Sequence, residues 1–175
     1  MRRYVNANVP AASLGKTVAG NVDPESPSIR CDILVDGDHI HSVFPSESPA
    51  LPSTEGEPEV DLRGMLVLPG FLDAHTHLDK THTWGRAPNR SRTFPDAIDT
   101  LFKDEANWTA EDMYRRASYS LKCAHAQGTV ALRTHFNCPA GPLREPYPLF
   151  KALADEWSGR LTLQYVPLCT TDGYA

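Results

Sequence analysis

Residues 64–79 read Gly64-Met65-Leu66-Val67-Leu68-Pro69-Gly70-Phe71-Leu72-Asp73-Ala74-His75-Thr76-His77-Leu78-Asp79. Val60–Leu68 has the β-branched and apolar character of a strand, Pro69-Gly70 interrupts it, and Phe71–His77 resumes an extended pattern. Side chains alternate faces along a strand. Asp73, His75, His77 and Asp79 are therefore expected on one face while the strand geometry lasts. Two imidazoles two residues apart then converge on one cation, and neutral imidazole suits zinc, iron and related divalent metals. A nearby carboxylate can orient a ligand imidazole through its other ring nitrogen. A His-x-His pair also arises by chance, and an exposed one often does nothing. Here the pair closes a strand just before a long loop and a helix, which is where parallel α/β architectures build their sites.

Downstream, the pattern alternates. Asp96–Asn107 is predicted helical, with Ile98, Leu101 and Phe102 at helical spacing. Thr109 is a predicted N-cap with Asp112 as a weak capping partner, and the helix behind it runs to Gln127. Met113, Ala117, Leu121 and Ala124 make its apolar stripe, and Gly128 stops it. Thr129–Phe136 reads as a buried strand. Pro146–Ser158 reads as a helix with Leu149, Phe150, Leu153 and Trp157 on one face, and Leu161–Leu168 as the next strand. Strand, helices, strand, helix, strand argues for a parallel sheet of right-handed βαβ units.

Upstream, residues 1–69 read as a β segment. Arg3–Val9 alternates weakly, and Cys31–Val35 and Asp38–Phe44 flank Asp36-Gly37, a two-residue hairpin signal in which both turn positions take positive φ. Pro45–Glu59 is rich in Pro, Ser and Glu and reads as a surface loop.

Composition closes off several classes. An apolar fraction of 41% and a charged fraction of 22% are those of a globular domain. With 17 basic and 22 acidic residues and no basic block, nucleic acid is not an expected partner. No apolar run follows Arg2-Arg3, and none is long enough to span a bilayer, so neither a membrane nor a secretory route is expected and the cytoplasm is the simplest location. Cys31, Cys123, Cys138 and Cys169 have no metal-knuckle or disulfide spacing and are expected to be reduced thiols.

The motif from Gly64 to Asp79 resembles the opening of the amidohydrolase superfamily. His77-Leu78-Asp79-Lys80-Thr81, with Arg133-Thr134-His135 later, is most similar to its cytosine deaminase branch. The resemblance implies an α/β fold: a partial (β/α)8 barrel of about three β/α units at 70–175, preceded by a small β-sandwich segment at 1–69. It implies that His75 and His77 bind one divalent ion, zinc or iron, and that a metal-activated water attacks a carbon–nitrogen bond of a cyclic amide, amidine or nucleobase-like substrate. A homo-oligomer is expected for the full-length form. In the family, another His, an Asp and a proton-shuttling Glu come from later strands. Gly70–Ala175 is less than half of the roughly 250 residues a full barrel takes, so no catalytic acid–base residue is expected within this chain. The alternative is a catalytically inactive truncated fragment or metal-binding remnant. The family's Pro-Gln pair on the third strand is also absent, since Pro167 is followed by Leu168, which puts cytosine itself in doubt.

Other residues divide between pocket and scaffold. Asp79, Lys80 and His82 lie just past the pair, and Arg133 and His135 share one face of the second strand. All five are candidate pocket-lining residues, with solvated or satisfied polar roles as the plain alternative. Cys169 reads as a small packing residue. Trp84, Trp108 and Trp157 read as core or interface aromatics rather than a stacking platform.

Overall fold

The computed structural model describes residues 1–15, 26–46, 56, 58–137 and 146–168, and arranges them in two sheets. These fall in two units, Met1–Pro69 and Gly70–Ala175.

The first unit is one four-stranded sheet of β1 (Arg2–Pro10), β2 (Ser28–Asp36), β3 (His39–Pro45) and β4 (Glu59–Asp61), in the order β3-β2-β1-β4. β1–β2 and β2–β3 are antiparallel and β1–β4 is parallel. β1 buries Val5, Ala7 and Val9, and Ala7 and Val9 share one core with Ile29, Cys31 and Ile33 of β2. Asp32 is buried but satisfied by Arg3 Nη2 and Ser46 Oγ, each at 2.7 Å, and by the Asn6 amide at 3.2 Å. Burial pushes its carboxyl up, and these hydrogen bonds more than offset it, leaving the pKa below the usual value.

Two expectations shift in this unit. The hairpin turn is Gly37-Asp38, not Asp36-Gly37, because Asp36 pairs with His39. Only Gly37 takes positive φ, at 60°, the requirement of a turn with Gly at its first central position. The strand expected over Val60–Leu68 ends at Asp61. Arg63 and Gly64 turn the chain through left-handed backbone, and only a single bridge, Asn8 to Leu66, resumes the pairing. Most of the loop expected over Pro45–Glu59 lies outside the described residues.

The second unit runs β5 (Phe71–Thr76), α1 (Phe94–Asp104), a 3₁₀ turn (Glu105–Asn107), α2 (Ala110–Ala126), β6 (Thr129–Asn137), α3 (Tyr147–Trp157) and β7 (Thr162–Leu168). Its sheet has the order β5-β6-β7, parallel throughout. This is the parallel sheet expected from the alternation of elements, in the three-strand extent that the family resemblance implies for a partial barrel. α1 begins two residues earlier than expected because Thr93, not a later residue, accepts the Asp96 amide as N-cap. Thr109 caps α2 through the Asp112 amide, as expected. Met113, Ala117 and Leu121 from α2 and Phe150, Leu153 and Trp157 from α3 pack on Leu132, Phe136 and Leu163 of the sheet. Each large apolar side chain buried here contributes about 1.5–3 kcal/mol relative to exposure.

Gly70 starts the unit at a close approach: a Cβ on it would overlap the Val130 side chain. That is a physical reason for glycine after Pro69. Among the described residues no helix is long and apolar enough to cross a membrane.

Candidate metal centre

β5 does not run as a regular strand to the histidines. Leu72 and Asp73 pair with Ala131 and Leu132, but Thr76 pairs with Thr134, so β5 carries one extra residue between Asp73 and Thr76. A bulge of this kind changes the alternation and re-aims the side chains beyond it. In register, Asp73 pairs with the buried Leu132, whereas the His75 ring stacks on that of His135. The expectation that Asp73 shares a face with the pair is overturned. Asp73 instead accepts the His75 amide at 3.1 Å, a local turn-like bond. Asp79 also leaves the alternation, since the strand ends at Thr76.

The two imidazoles meet. His75 Nε2 and His77 Nε2 are 3.3 Å apart. His77 Nδ1 lies 2.8 Å from the carbonyl oxygen of His135. A carbonyl only accepts, so Nδ1 carries the proton and Nε2 of the neutral ring presents its lone pair toward His75. Two nitrogens 3.3 Å apart, each at the usual 2.0–2.1 Å bond length, subtend roughly 105–110° at a shared ion, close to tetrahedral. The spacing, donor type and tautomer fit a divalent metal. Among the described residues no third His, Cys, Asp or Glu completes a ligand group with them.

His135 contributes more than its carbonyl. Its ring stacks on His75, with centroids 4.2 Å apart and planes 21° from parallel. Desolvation, then the neighbouring His75 and His77, hold its pKa below the usual histidine value. Stacking keeps it from converging with the pair, and its Nδ1 is buried without a hydrogen-bond partner.

Asp79 is fully buried. Its Oδ2 accepts the Asn137 amide at 2.8 Å and lies 3.1 Å from Lys80 Nζ. Its Oδ1 is 4.0 Å from His77 Nδ1 and makes no hydrogen bond. The residue that orients His77 is thus the His135 carbonyl rather than the Asp79 carboxylate. Lys80 Nζ also donates to Asn137 Oδ1 at 3.0 Å. His82, with left-handed backbone at φ 57°, is engaged with α2 through Ser120 Oγ at 2.9 Å and an edge contact to Tyr119. Arg133 is exposed and donates to Gln164 on β7 at 2.8 Å. Cys169 and Cys138 lie outside the described residues, while Cys31 and Cys123 are free thiols, one buried and one exposed.

Three residues that sequence reasoning passes over hold this arrangement. Thr134 Oγ1, fully buried, accepts the Leu78 amide at 2.9 Å. Asn137 grips both Asp79 and Lys80. Arg116, on α2, donates to the carbonyls of Asp79 at 2.6 Å and Thr81 at 2.9 Å, and to Asp112 at 2.8 Å. Asp112 also takes Arg86, which reaches Asp104 as well. The Arg86 hydrogen bond is the main reason the Asp112 pKa falls to about 2; burial opposes it and Arg116 reinforces it. The helical spacing of Asp112 and Arg116 is the one sequence signal for this network, and it is equally the signal of an ordinary surface pair.

The model of the amidohydrolase family matches residues 58–135, which contain the His-x-His pair and His135. A pterin deaminase from Rhizobium rhizogenes is 36% identical over 169 residues, 95% of this chain. The chain belongs to the amidohydrolase superfamily. It spans 37% of the length of that deaminase. Among solved structures, a 5-methylcytosine deaminase from Klebsiella pneumoniae liganded with 5-fluorocytosine superposes with a TM-score of 0.70 at 22% identity, over 94% of this chain and 36% of the other. An atrazine chlorohydrolase from Arthrobacter aurescens, complexed with zinc, does so with a TM-score of 0.60 at 16% identity, over 97% of this chain and 47% of the other. At these identities the two structures establish the fold of this amidohydrolase chain.

Proposed function

We propose that this chain supplies the first metal-binding edge of a metal-dependent hydrolase acting on a carbon–nitrogen bond of a small cyclic amide or amidine, by deamination in the manner of cytosine or pterin deaminases. The observation that carries this reading is the 3.3 Å approach of His75 Nε2 and His77 Nε2, with the His77 tautomer set by the His135 carbonyl. When bound, zinc or iron would supply Lewis acidity and lower the pKa of a bound water toward neutrality. His75 and His77 would hold it, His135 would fix the His77 ring, and Asp79, Lys80 and Asn137 would set the wall beside it. A catalytic zinc takes three protein ligands as a rule, and the described residues provide two. The reading therefore leaves the third ligand and the proton shuttle to residues beyond those described.

Elemental analysis of the protein as purified tests this. The wild type should carry about one zinc or iron per chain, and the variant His75→Ala with His77→Ala should carry almost none. Undiminished, tightly held metal in the double variant contradicts the assignment.

A further inference from the structure

β5 ends at Thr76, so His75 lies within the strand and His77 just beyond it. The ladder positions His75, while His77 depends on how the chain after it is held. No helix or strand follows until α1 opens at Phe94. A buried stretch of this kind keeps its course where its main-chain polar groups find partners. Two ties lead to β6: the Leu78 amide donates to Thr134 Oγ1 at 2.9 Å, and the Asn137 amide donates to Asp79 Oδ2 at 2.8 Å. The main-chain tie to α2 is Arg116, whose Nη1 donates to the carbonyls of Asp79 at 2.6 Å and Thr81 at 2.9 Å. Farther along, the Thr81 and His82 side chains hydrogen-bond Ser120.

Arg116 is 8% exposed, and a charge so far removed from water is costly unless it is paired. Its Nε and Nη2 both donate to Asp112 Oδ2, at 2.9 and 2.8 Å, and the guanidinium lies over the Trp108 ring, 5.8 Å from its centroid. One edge of the fork pairs the charge, and the other is committed to two main-chain oxygens. A planar guanidinium does both at once, whereas an ammonium is a point donor without that geometry. Arg86 provides a contrast within the same network. It donates to Asp112 Oδ1 at 2.6 Å and to Asp104 Oδ1 at 2.7 Å, and among the described residues its side chain donates to no main-chain carbonyl.

We propose that Arg116 is a positioning residue for the metal centre: by fixing the main chain at Asp79 and Thr81, just past His77, it fixes the direction in which His77 presents Nε2. The inference rests on the reading of His75 and His77 as metal ligands. Arg116 acts through the chain. A shift of the Asp79 carbonyl swings the His77 ring off the His135 carbonyl, which lies 2.8 Å from Nδ1, and the 3.3 Å approach to His75 goes with it. Groups that hold a ligand in this way govern metal affinity by roughly 10–100-fold.

Zinc affinity of the full natural chain by chelator competition tests this, with the melting temperature read on the same samples. Arg116→Lys and Arg116→Gln should each lose at least about tenfold in zinc affinity. Arg116→Lys keeps a charge for Asp112, so it carries the test if Arg116→Gln does not fold. Arg86→Gln removes four carboxylate bonds from the same network. It should lower the melting temperature yet keep zinc affinity well inside the roughly tenfold that loss of a supporting contact costs. Unchanged affinity in the Arg116 variants, or an equal loss in Arg86→Gln, overturns the proposal, because a merely structural role makes affinity follow melting temperature in every variant. The second readout is the His77 tautomer in the metal-free protein, from its imidazole nitrogen chemical shifts at mildly alkaline pH. Wild type should hold the proton on Nδ1, and Arg116→Lys should show both tautomers; a single Nδ1–H form in Arg116→Lys also overturns the proposal. This readout needs no metal, so it separates the two ideas. If the variant His75→Ala with His77→Ala keeps its metal while the tautomer changes in Arg116→Lys, the ligand assignment fails and the positioning of His77 stands.

Discussion

β6 shows two kinds of surface on one strand. Leu132, Thr134 and Phe136 are buried beneath α2 and α3, whereas Arg133, His135 and Asn137 lie on the other face and carry polar chemistry. The buried face is selected for shape and volume, and its members touch many neighbours. The other face is selected for a few oriented atoms: one carbonyl, one amide, one carboxamide oxygen. Stability and metal binding should therefore separate between residues that are sequence neighbours.

The largest effect is expected under the helices. Phe150→Ala removes a fully buried ring stacked on Phe136 with centroids 4.7 Å apart and should cost about 3–5 kcal/mol in chemical denaturation. A loss below about 1 kcal/mol would mean that α3 does not hold the sheet.

A smaller effect comes from acid. The Asp112 pKa of about 2 lies below the ordinary value of 3.8. A depressed folded-state pKa stabilises above the unfolded value and is lost as pH falls through the folded one. Between pH 3.8 and about 2 the protein should lose roughly 1–2 kcal/mol through this group, discounted for its partial contact with water. Asp112→Asn should flatten that part of the stability–pH curve, and an unchanged slope would mean that Asp112 does not carry the acid sensitivity.

The smallest effect belongs to the polar face. Arg133 is exposed and, among the described residues, hydrogen-bonds Gln164 across the strands, so Arg133→Ala should change stability by less than about 0.5 kcal/mol. A large loss there would erase the contrast between the two faces.

The same contrast explains how much is legible in the sequence. The buried faces announce themselves by spacing: Met113, Ala117 and Leu121 at helical intervals, and Leu132 and Phe136 in a β-branched run. Element order then implies the parallel sheet. The His75–His77 pair stands out because both members lie within three residues. The rest depends on contacts distant in sequence. The bulge that separates Asp73 from His75 is a matter of register with β6, which no local pattern encodes. The His135 carbonyl is main chain, and main-chain atoms leave no trace in residue identity. Arg116 reaches Asp79 across 37 positions, and its i,i+4 spacing from Asp112 is common on any helix. Residue type alone puts Trp84 among core or interface aromatics, yet it is 64% exposed; its loop, not its hydrophobicity, decides its exposure.

The most direct test of the metal centre is zinc affinity by chelator competition in His77→Ala and His135→Ala. His77→Ala should lose at least about a hundredfold in affinity, because a ligand nitrogen is gone. His135→Ala keeps the carbonyl that orients His77, and should stay within about tenfold of wild type, the low end of what loss of a supporting contact costs. Equal, near-complete loss in both would make the His135 ring a ligand, and no loss in His77→Ala would place the metal elsewhere.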